Sequence, residues 1–450
     1  MGSFRDLYKN DVDFAALSLQ SKDFAQYLKP NGQLDFNDSD AVRQLTISLL
    51  KQDFGLDVKL PEDRLCPPVR IVLNYILWLH DIVESTSKKS NIGNDTEEKV
   101  VGLDIGTGCC SIYPLLGCKT RPSWEFVATG TICPFSDIDE NNARTAQENV
   151  KTNQLESRIR VIKTDPKDVL FPLDKIEQKS LDFSMCNPPF YTSREEMAQS
   201  SESKSQQPSS VCTGADVEMV TKGGEVAFVT KMIDESLNLR DRIQWYTSML
   251  GKLSSVTALV EALIKHGNHN YAVTEFVQGS KTKRWALAWS WGDRRPSMSV
   301  ARGIPGFPKH LLPFPAEYNF TLPSEISIDD ATTSMDKELE SLRWFWEWDQ
   351  SRSAGVGFAA ENVWSRQARR KMKLAGQHGS STKIDTVPDG VALGIRVEAK
   401  LVRGQSDSSN KNETQIVIHW IQGMDSVLFE SFCGMLKRKL ESSKPQESEK

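Results

Sequence analysis

The stretch Val100-Val101-Gly102-Leu103-Asp104-Ile105-Gly106-Thr107-Gly108 constrains the fold more than any other part of this chain. A β-branched run that breaks into glycines after an acid reads as a buried strand ending in a turn. Glycines there let the backbone approach a ligand, as in the first strand and loop of a doubly wound nucleotide-binding sheet. Two common versions of that turn do not fit. No third glycine completes GxGxxG after Gly108, and no Lys-Ser/Thr follows to make a P-loop.

A second feature follows some eighty residues later, where Leu181-Asp182-Phe183-Ser184-Met185-Cys186 runs into Asn187-Pro188-Pro189-Phe190. A short apolar segment halted by two prolines predicts a buried strand with a rigid turn at its end. The prolines donate no N–H, so carbonyls there stay free to accept. Asn187 can turn its side-chain oxygen to the same side, and Phe190 supplies an aromatic face. Two acceptors beside a flat ring suit a planar exocyclic NH2 group. The pairing of Asp-Ile-Gly-Thr-Gly with Asn-Pro-Pro-Phe resembles the S-adenosylmethionine-dependent amino-methyltransferases.

The helical preface narrows the resemblance. Leu34-Asp35-Phe36, Ala41-Val42-Arg43-Gln44-Leu45-Thr46, Asp53-Phe54-Gly55-Leu56, Arg64-Leu65-Cys66-Pro67 and Leu73-Asn74-Tyr75-Ile76 are similar to segments of the adenine-N6 RNA methyltransferase family. That family includes U6 small nuclear RNA and bacterial large-subunit ribosomal RNA enzymes, and the similarity runs over residues 10–292. It implies a Rossmann-like class I α/β methyltransferase fold with S-adenosyl-L-methionine as cofactor. The partner implied is RNA, either U6 small nuclear RNA or a hairpin with an unpaired adenine, met in the nucleus by a monomer. No membrane partner and no metal is expected.

The resemblance also implies roles. Asn187, Pro188, Pro189 and Phe190 would be catalytic. The cofactor would lie on Asp104, Gly106, Gly108, Cys110 and Asn187, with Asp137 holding the ribose and Asp168 near the adenine. Arg70 would reach the cofactor carboxylate, because Val72 stands where the family has an arginine. Lys9, Lys167, Lys281, Lys283 and Arg284 would contact RNA. The last three precede Trp285, and basic residues interleaved with aromatics suit phosphate contact and base stacking. A second departure is the run 130–136, which the family pattern lacks. It places Asp137 29 residues beyond Gly108, where about 20 is usual.

In chain order, residues 1–85 read as a helical RNA-binding module, with Asp38-Ser39-Asp40 capping a helix that ends near Gly55 and another helix over 69–83. Residues 86–98 are polar linker and 99–292 the methyltransferase domain. Within it, helices are expected over 111–116, 140–155 and 226–239, and strands over 124–129, 160–163, 246–250 and 271–278. Residues 192–210 read as a mobile loop. Residues 293–330, rich in Pro and Gly, read as linker, and 331–450 as a small α+β accessory module. There 338–348, with Trp344, Phe345, Trp346 and Trp348, reads as a core helix; 391–402 and 414–421 read as paired strands before a helix over 426–440. Arg366, Arg369, Arg370, Lys371 and Lys373 form a basic cluster suited to RNA or nuclear import.

Composition excludes little. A net charge of −5 over 450 residues gives no global basic field, so any RNA surface is local. Eight cysteines form no C-x-x-C pair and fit a reducing compartment. No secretory signal is visible, and the apolar run 69–83 is broken by Asn74, His80 and Asp81, so a soluble intracellular protein is expected. Two other readings stay open: a glutamine methyltransferase acting on a translation factor, and an RNA-binding protein whose transferase site is inactive.

Overall fold

Asp13 opens the first helix, α1 (Phe14–Gln20), by accepting the N–H of Ala16, and Ser21 does the same for Phe24 in α2 (Lys22–Ala25). The computed structural model describes residues 4–62, 64–87, 99–130, 140–165, 168–193, 195–196, 219–278, 282–376, 384–403 and 412–442. Helix α3 (Ser39–Phe54) is capped by Asp38 and stopped by Gly55, whose φ of 62° is the left-handed conformation that glycine adopts without penalty. Pro67-Pro68 precede α4 (Val69–Thr86). This helix is apolar on nearly every side and is buried accordingly, from Val69 and Ile71 to Leu79 and Ile82. Tyr75 ties it to the sheet, its hydroxyl lying 2.7 Å from Thr247 Oγ1.

The sheet follows with β1 (Val100–Ile105), α5 (Ile112–Thr120), β2 (Trp124–Thr129), α6 (Glu140–Thr152), β3 (Ile159–Ile162), β4 (Leu181–Cys186), α7 (Gly224–Leu239), β5 (Ile243–Leu250), α8 (Leu253–Lys265), β6 (Tyr271–Gln278), β7 (Thr282–Trp289) and β8 (Arg302–Gly303). Its order is β3-β2-β1-β4-β5-β7-β6-β8. The strands β3, β2, β1, β4 and β5 are parallel, whereas β7 runs antiparallel to both β5 and β6. Parallel strands buried on both faces explain why these segments are continuous apolar runs. Gly102 is required by packing, because a Cβ there would overlap the ring of Phe183 across the β1–β4 pair. The order reverses at β1, which has β2 on one side and β4 on the other. Open α/β sheets bind ligands at such a switch point, beyond the carboxyl ends of the strands. The loops after β1 and β4 are the two stretches singled out in the sequence.

Residues Met1–Val83, Thr96–Gly292 and Arg302–Leu312 make one compact unit; Glu84–Asp95, Asp293–Ala301 and Pro313–Lys450 make the other. The second unit has a five-stranded antiparallel sheet in the order β10-β11-β12-β13-β9, made of β9 (Glu317–Thr321), β10 (Phe345–Asp349), β11 (Ala354–Ala359), β12 (Leu393–Arg403) and β13 (Asn412–Gln422). With it go α9 (Ile328–Glu340), α10 (Arg366–Gly376) and α11 (Ser426–Glu441). Two expectations need correction. Residues 293–330 are not a linker: β8 pairs with β6, β9 forms an edge of the second sheet, and α9 has begun by Ile328. Nor is 338–348 one helix, since α9 stops at Glu340 and Phe345–Asp349 is a strand. Trp344 and Trp346 are buried as expected, stacked with ring centroids 5.5 Å apart. They lie over Gly357 and Gly355 of β11, where a side chain would overlap the indoles. Burying such a large side chain contributes about 1.5–3 kcal/mol.

Candidate active site

The turn after β1 is shaped by two glycines in the left-handed region, Gly106 at φ 72° and Gly108 at 64°. A Cβ at either position would meet nothing within 4 Å, so the bare backbone faces open space. That space is an open cleft lined by Gly106, Thr107, Gly108, Cys109 and Cys110 from this turn, with Ile112 and Tyr113 of α5. Behind it, Asp104 is buried, and Oδ2 of its carboxylate has no hydrogen-bond partner. Burial pushes this carboxyl up to about 7, the side chain of Thr107 partly offsetting it.

The corner after β4 opens into the same cleft. Cys186, Asn187 and Pro189 are among its lining residues. Asn187 Oδ1 is buried without a partner, an acceptor oriented by the fold and left unused by it. Phe190 lies under the guanidinium of Arg284 on β7, 5.4 Å from its ring centroid. Residues just beyond Phe190 are anchored, while 197–210 of the expected loop lie outside the described residues. Tyr191 donates its N–H to the Met219 carbonyl and accepts from Thr221 N–H, each at 2.9 Å. Glu196 accepts from the N–H and hydroxyl of Thr192 and from Lys252 Nζ at 2.7 Å. These partners, the Lys252 ammonium first, hold the Glu196 carboxyl down to about 2.

The other residues singled out in the sequence are placed differently. Arg70 is not among the cleft-lining residues; it sits on α4 with Nη1 3.7 Å from Asp11. Val72 is buried. Asp168 is turned into its own loop, accepting from Asp165 N–H and from Lys175 Nζ, both at 2.7 Å. The Lys175 ammonium and that N–H hold its carboxyl below the usual range. Lys283 pairs with Glu275 at 3.1 Å, and Lys9 pairs with Asp6. Asp137, Lys167, Lys281 and the run 131–136 lie outside the described residues.

Residues that sequence reasoning missed complete the wall. Leu65 and Pro67, from the loop before α4, and Phe228 of α7 line the cleft. Phe228 stands on α7, one helical turn after it opens at Gly224, and no motif in the sequence marks it. The chemistry such a cleft permits is binding a ligand against bare backbone beside oxygen acceptors that lack donors. A group bearing N–H donors or positive charge fits that set. Among the described residues, no helix is long and apolar enough to cross a membrane.

Residues 3–293 match a family model described as RNA methyltransferase. The chain is 36% identical over 417 residues to the U6 small nuclear RNA (adenine-(43)-N(6))-methyltransferase of Schizosaccharomyces pombe, covering 92% of this chain and 97% of that one. It is 32% identical over 476 residues to the RNA N(6)-adenosine-methyltransferase mettl16 of Danio rerio, covering 97% and 96%. A solved structure of the hMettl16 catalytic domain with a MAT2A 3′UTR hairpin superposes with a TM-score of 0.56 at 38% identity, over 65% of this chain and 95% of that one. The N-terminal domain of human METTL16 in complex with SAH gives 0.51 at 36% identity, over 65% and 99%.

Proposed function

This chain belongs to the RNA methyltransferase family, and from that membership we propose that it methylates adenine N6 in RNA with S-adenosyl-L-methionine. The substrate we assign is U6 small nuclear RNA or a similar hairpin with an unpaired adenine, which puts its work in the nucleus. The observation that carries the reading is the buried, partnerless Asn187 Oδ1 on the cleft wall shared with the Gly106–Gly108 turn.

Adenine N6 is a weak nucleophile because its lone pair is delocalised into the ring. The Asn187 carboxamide oxygen and the Pro188 carbonyl each accept one N6 hydrogen, drawing the nitrogen towards tetrahedral geometry and turning its lone pair into the cleft. Phe190 stacks on the base, which must leave its helix to enter. When bound, the cofactor supplies an electrophilic methyl group on a sulfonium. The residues present fit it: bare backbone at Gly106 and Gly108 for close approach, Cys110 beside them, and the Asp104 carboxylate behind them for positive charge. Catalysis rests on orientation and on acceptors fixed before charge develops. No strong base is needed, since the methylated nitrogen loses its proton readily.

Arg284, already over Phe190, and Lys283 are assigned to RNA phosphates beside the entering base. The helices before Val100 and the second unit, with its basic helix α10, are assigned to holding the rest of the RNA. The test is incubation with labelled S-adenosyl-L-methionine and a U6 hairpin transcript, followed by nucleoside mass spectrometry. N6-methyladenosine at one adenine is expected. Its absence, with RNA bound but no cofactor binding by calorimetry, would establish an inactive transferase site instead.

A further inference from the structure

We propose that Glu225 and Gly251 are positioning residues that fix the ring of Phe190 for the incoming base; this rests on the adenine-N6 reading above and adds two groups to it. Gly251 follows β5 directly. Its N–H donates to Glu225 Oε2 at 2.6 Å, and the next N–H, of Lys252, donates to Oε1 at 3.1 Å. Glu225 is 2% exposed, so both oxygens of a buried carboxylate are committed to one stretch of backbone. Charge-assisted bonds of this kind are about twice as strong as neutral ones.

What they hold in place is the surface that Phe190 rests on. A Cβ on Gly251 would lie 3.0 Å from Phe190 Cδ1 and 3.2 Å from Glu225 Oε2, tighter than most side-chain contacts, so the ring or the carboxylate bracing it would have to give way slightly. Gly251 is outside the left-handed region, so its backbone conformation is open to any residue. Glycine stands there for the contact. The Phe190 carbonyl meets a second glycine, Gly224, where a Cβ would come within 3.3 Å of it. Glu225 is the next residue along, so one short segment touches Phe190 directly and also braces Gly251. The same bonds cap α8, whose first residue, Leu253, follows Lys252, and a capping role alone would leave Phe190 unaffected. Misplacing a reacting group by about 1 Å costs on the order of 100-fold in rate.

The test is a double-substitution cycle on the full chain. Gly251→Ala is expected to lower kcat on a hairpin RNA about 10- to 100-fold while leaving the Kd for cofactor and for RNA within about twofold. In a Phe190→Ala background the same change should alter kcat less than about twofold, because the ring it displaces is gone. Equal losses in both backgrounds would overturn the proposal. A second measurement does not need activity: 4-fluorophenylalanine at position 190, followed by 19F NMR, should give one resonance that Gly251→Ala shifts and Glu225→Gln broadens or splits. An unchanged resonance in both variants overturns the proposal even if either variant loses activity. If the parent chain methylates no RNA, the function reading fails, and the 19F result still decides whether these groups seat the ring.

Discussion

Asn187→Ala should separate activity from stability, because the structure gives this side chain nothing to hold in the free protein. Its Oδ1 is buried with no hydrogen-bond partner. An unsatisfied buried polar atom costs about 1–3 kcal/mol, and truncation removes that cost. The carboxamide packing given up in exchange borders an open cleft, so its removal costs little, on the order of 1 kcal/mol. The two nearly cancel or leave a gain. At about 2–4 °C per kcal/mol for a domain of this class, the unfolding midpoint should stay level or rise by a few degrees. The rate should behave oppositely. Removing one oriented group that stabilises developing charge costs about 2.7–4 kcal/mol, or 10²–10³ in kcat. The assay pairs scanning calorimetry without ligands with single-turnover methyl transfer to a hairpin RNA. A midpoint lowered by more than about 5 °C would mean that the carboxamide braces the corner and is not a waiting acceptor. Full transfer activity would refute its role outright.

Four further outcomes follow from the same geometry. Phe190→Ala should lose about 1–3 kcal/mol of base stacking, read as a roughly 5- to 150-fold fall in kcat/KM with cofactor affinity unchanged by calorimetry. Arg284→Ala should weaken RNA binding and lower the slope of log K against log salt by about one, measured by fluorescence anisotropy across a salt series. Because burial raises the Asp104 carboxyl from 3.8 to about 7, the folded chain binds more protons than the unfolded one between those values, so stability falls as pH rises through that window and is level above it. Melting of the cofactor-free protein should therefore decline relative to Asp104→Asn from about pH 5 to about pH 7, and parallel curves would show that Asp104 is not buried as a lone acid. Gly357→Val should overlap Trp344, destabilising the second unit by more than about 2 kcal/mol in urea unfolding, with S-adenosyl-L-methionine affinity of the intact chain retained at low urea.

Periodicity and punctuation made much of the fold legible. β1 and β4 begin and end where the apolar runs do, and α3 runs from the acid cap at Asp38 to Gly55. The Trp344–Trp348 error has a readable cause. Aromatic density alone suggests a helical cluster, but Trp344, Trp346 and Trp348 alternate, which is the period of a strand. Gly355 and Gly357 alternate opposite them, a second signal that these indoles lie on a sheet. Residues 293–330 mislead because proline and glycine mark short edge strands as well as linkers. The site divides in the same way. Contiguous motifs placed Gly106, Gly108, Cys110, Asn187 and Pro189 on the cleft. Leu65, Pro67 and Phe228 come from segments distant in sequence, and only tertiary packing brings them there. Arg70 is not among the cleft-lining residues, and its Nη1 lies 3.7 Å from Asp11.

The two motifs are halves of one electrostatic arrangement. β1 and β4 are hydrogen-bonded neighbours, with Asp104 opposite Met185 and Ile105 opposite Cys186. Two side-chain oxygens left without a partner, Asp104 Oδ2 on β1 and Asn187 Oδ1 just beyond β4, therefore lie close together at the ends of neighbouring strands. A stable fold seldom tolerates such clustering, because each unmet acceptor costs free energy. The clustering is intelligible if the missing donors arrive with the ligands: positive charge on one side of the cleft and an exocyclic amine on the other. Acceptors fixed in advance need no reorganisation when charge develops, which is where most of a transferase's rate advantage lies when no metal or strong base takes part. On this view the destabilisation stored at Asp104 and Asn187 is relieved in the ternary complex. The cofactor should then raise the melting midpoint of the parent chain by more than that of Asp104→Asn, and equal shifts at saturating cofactor would contradict it.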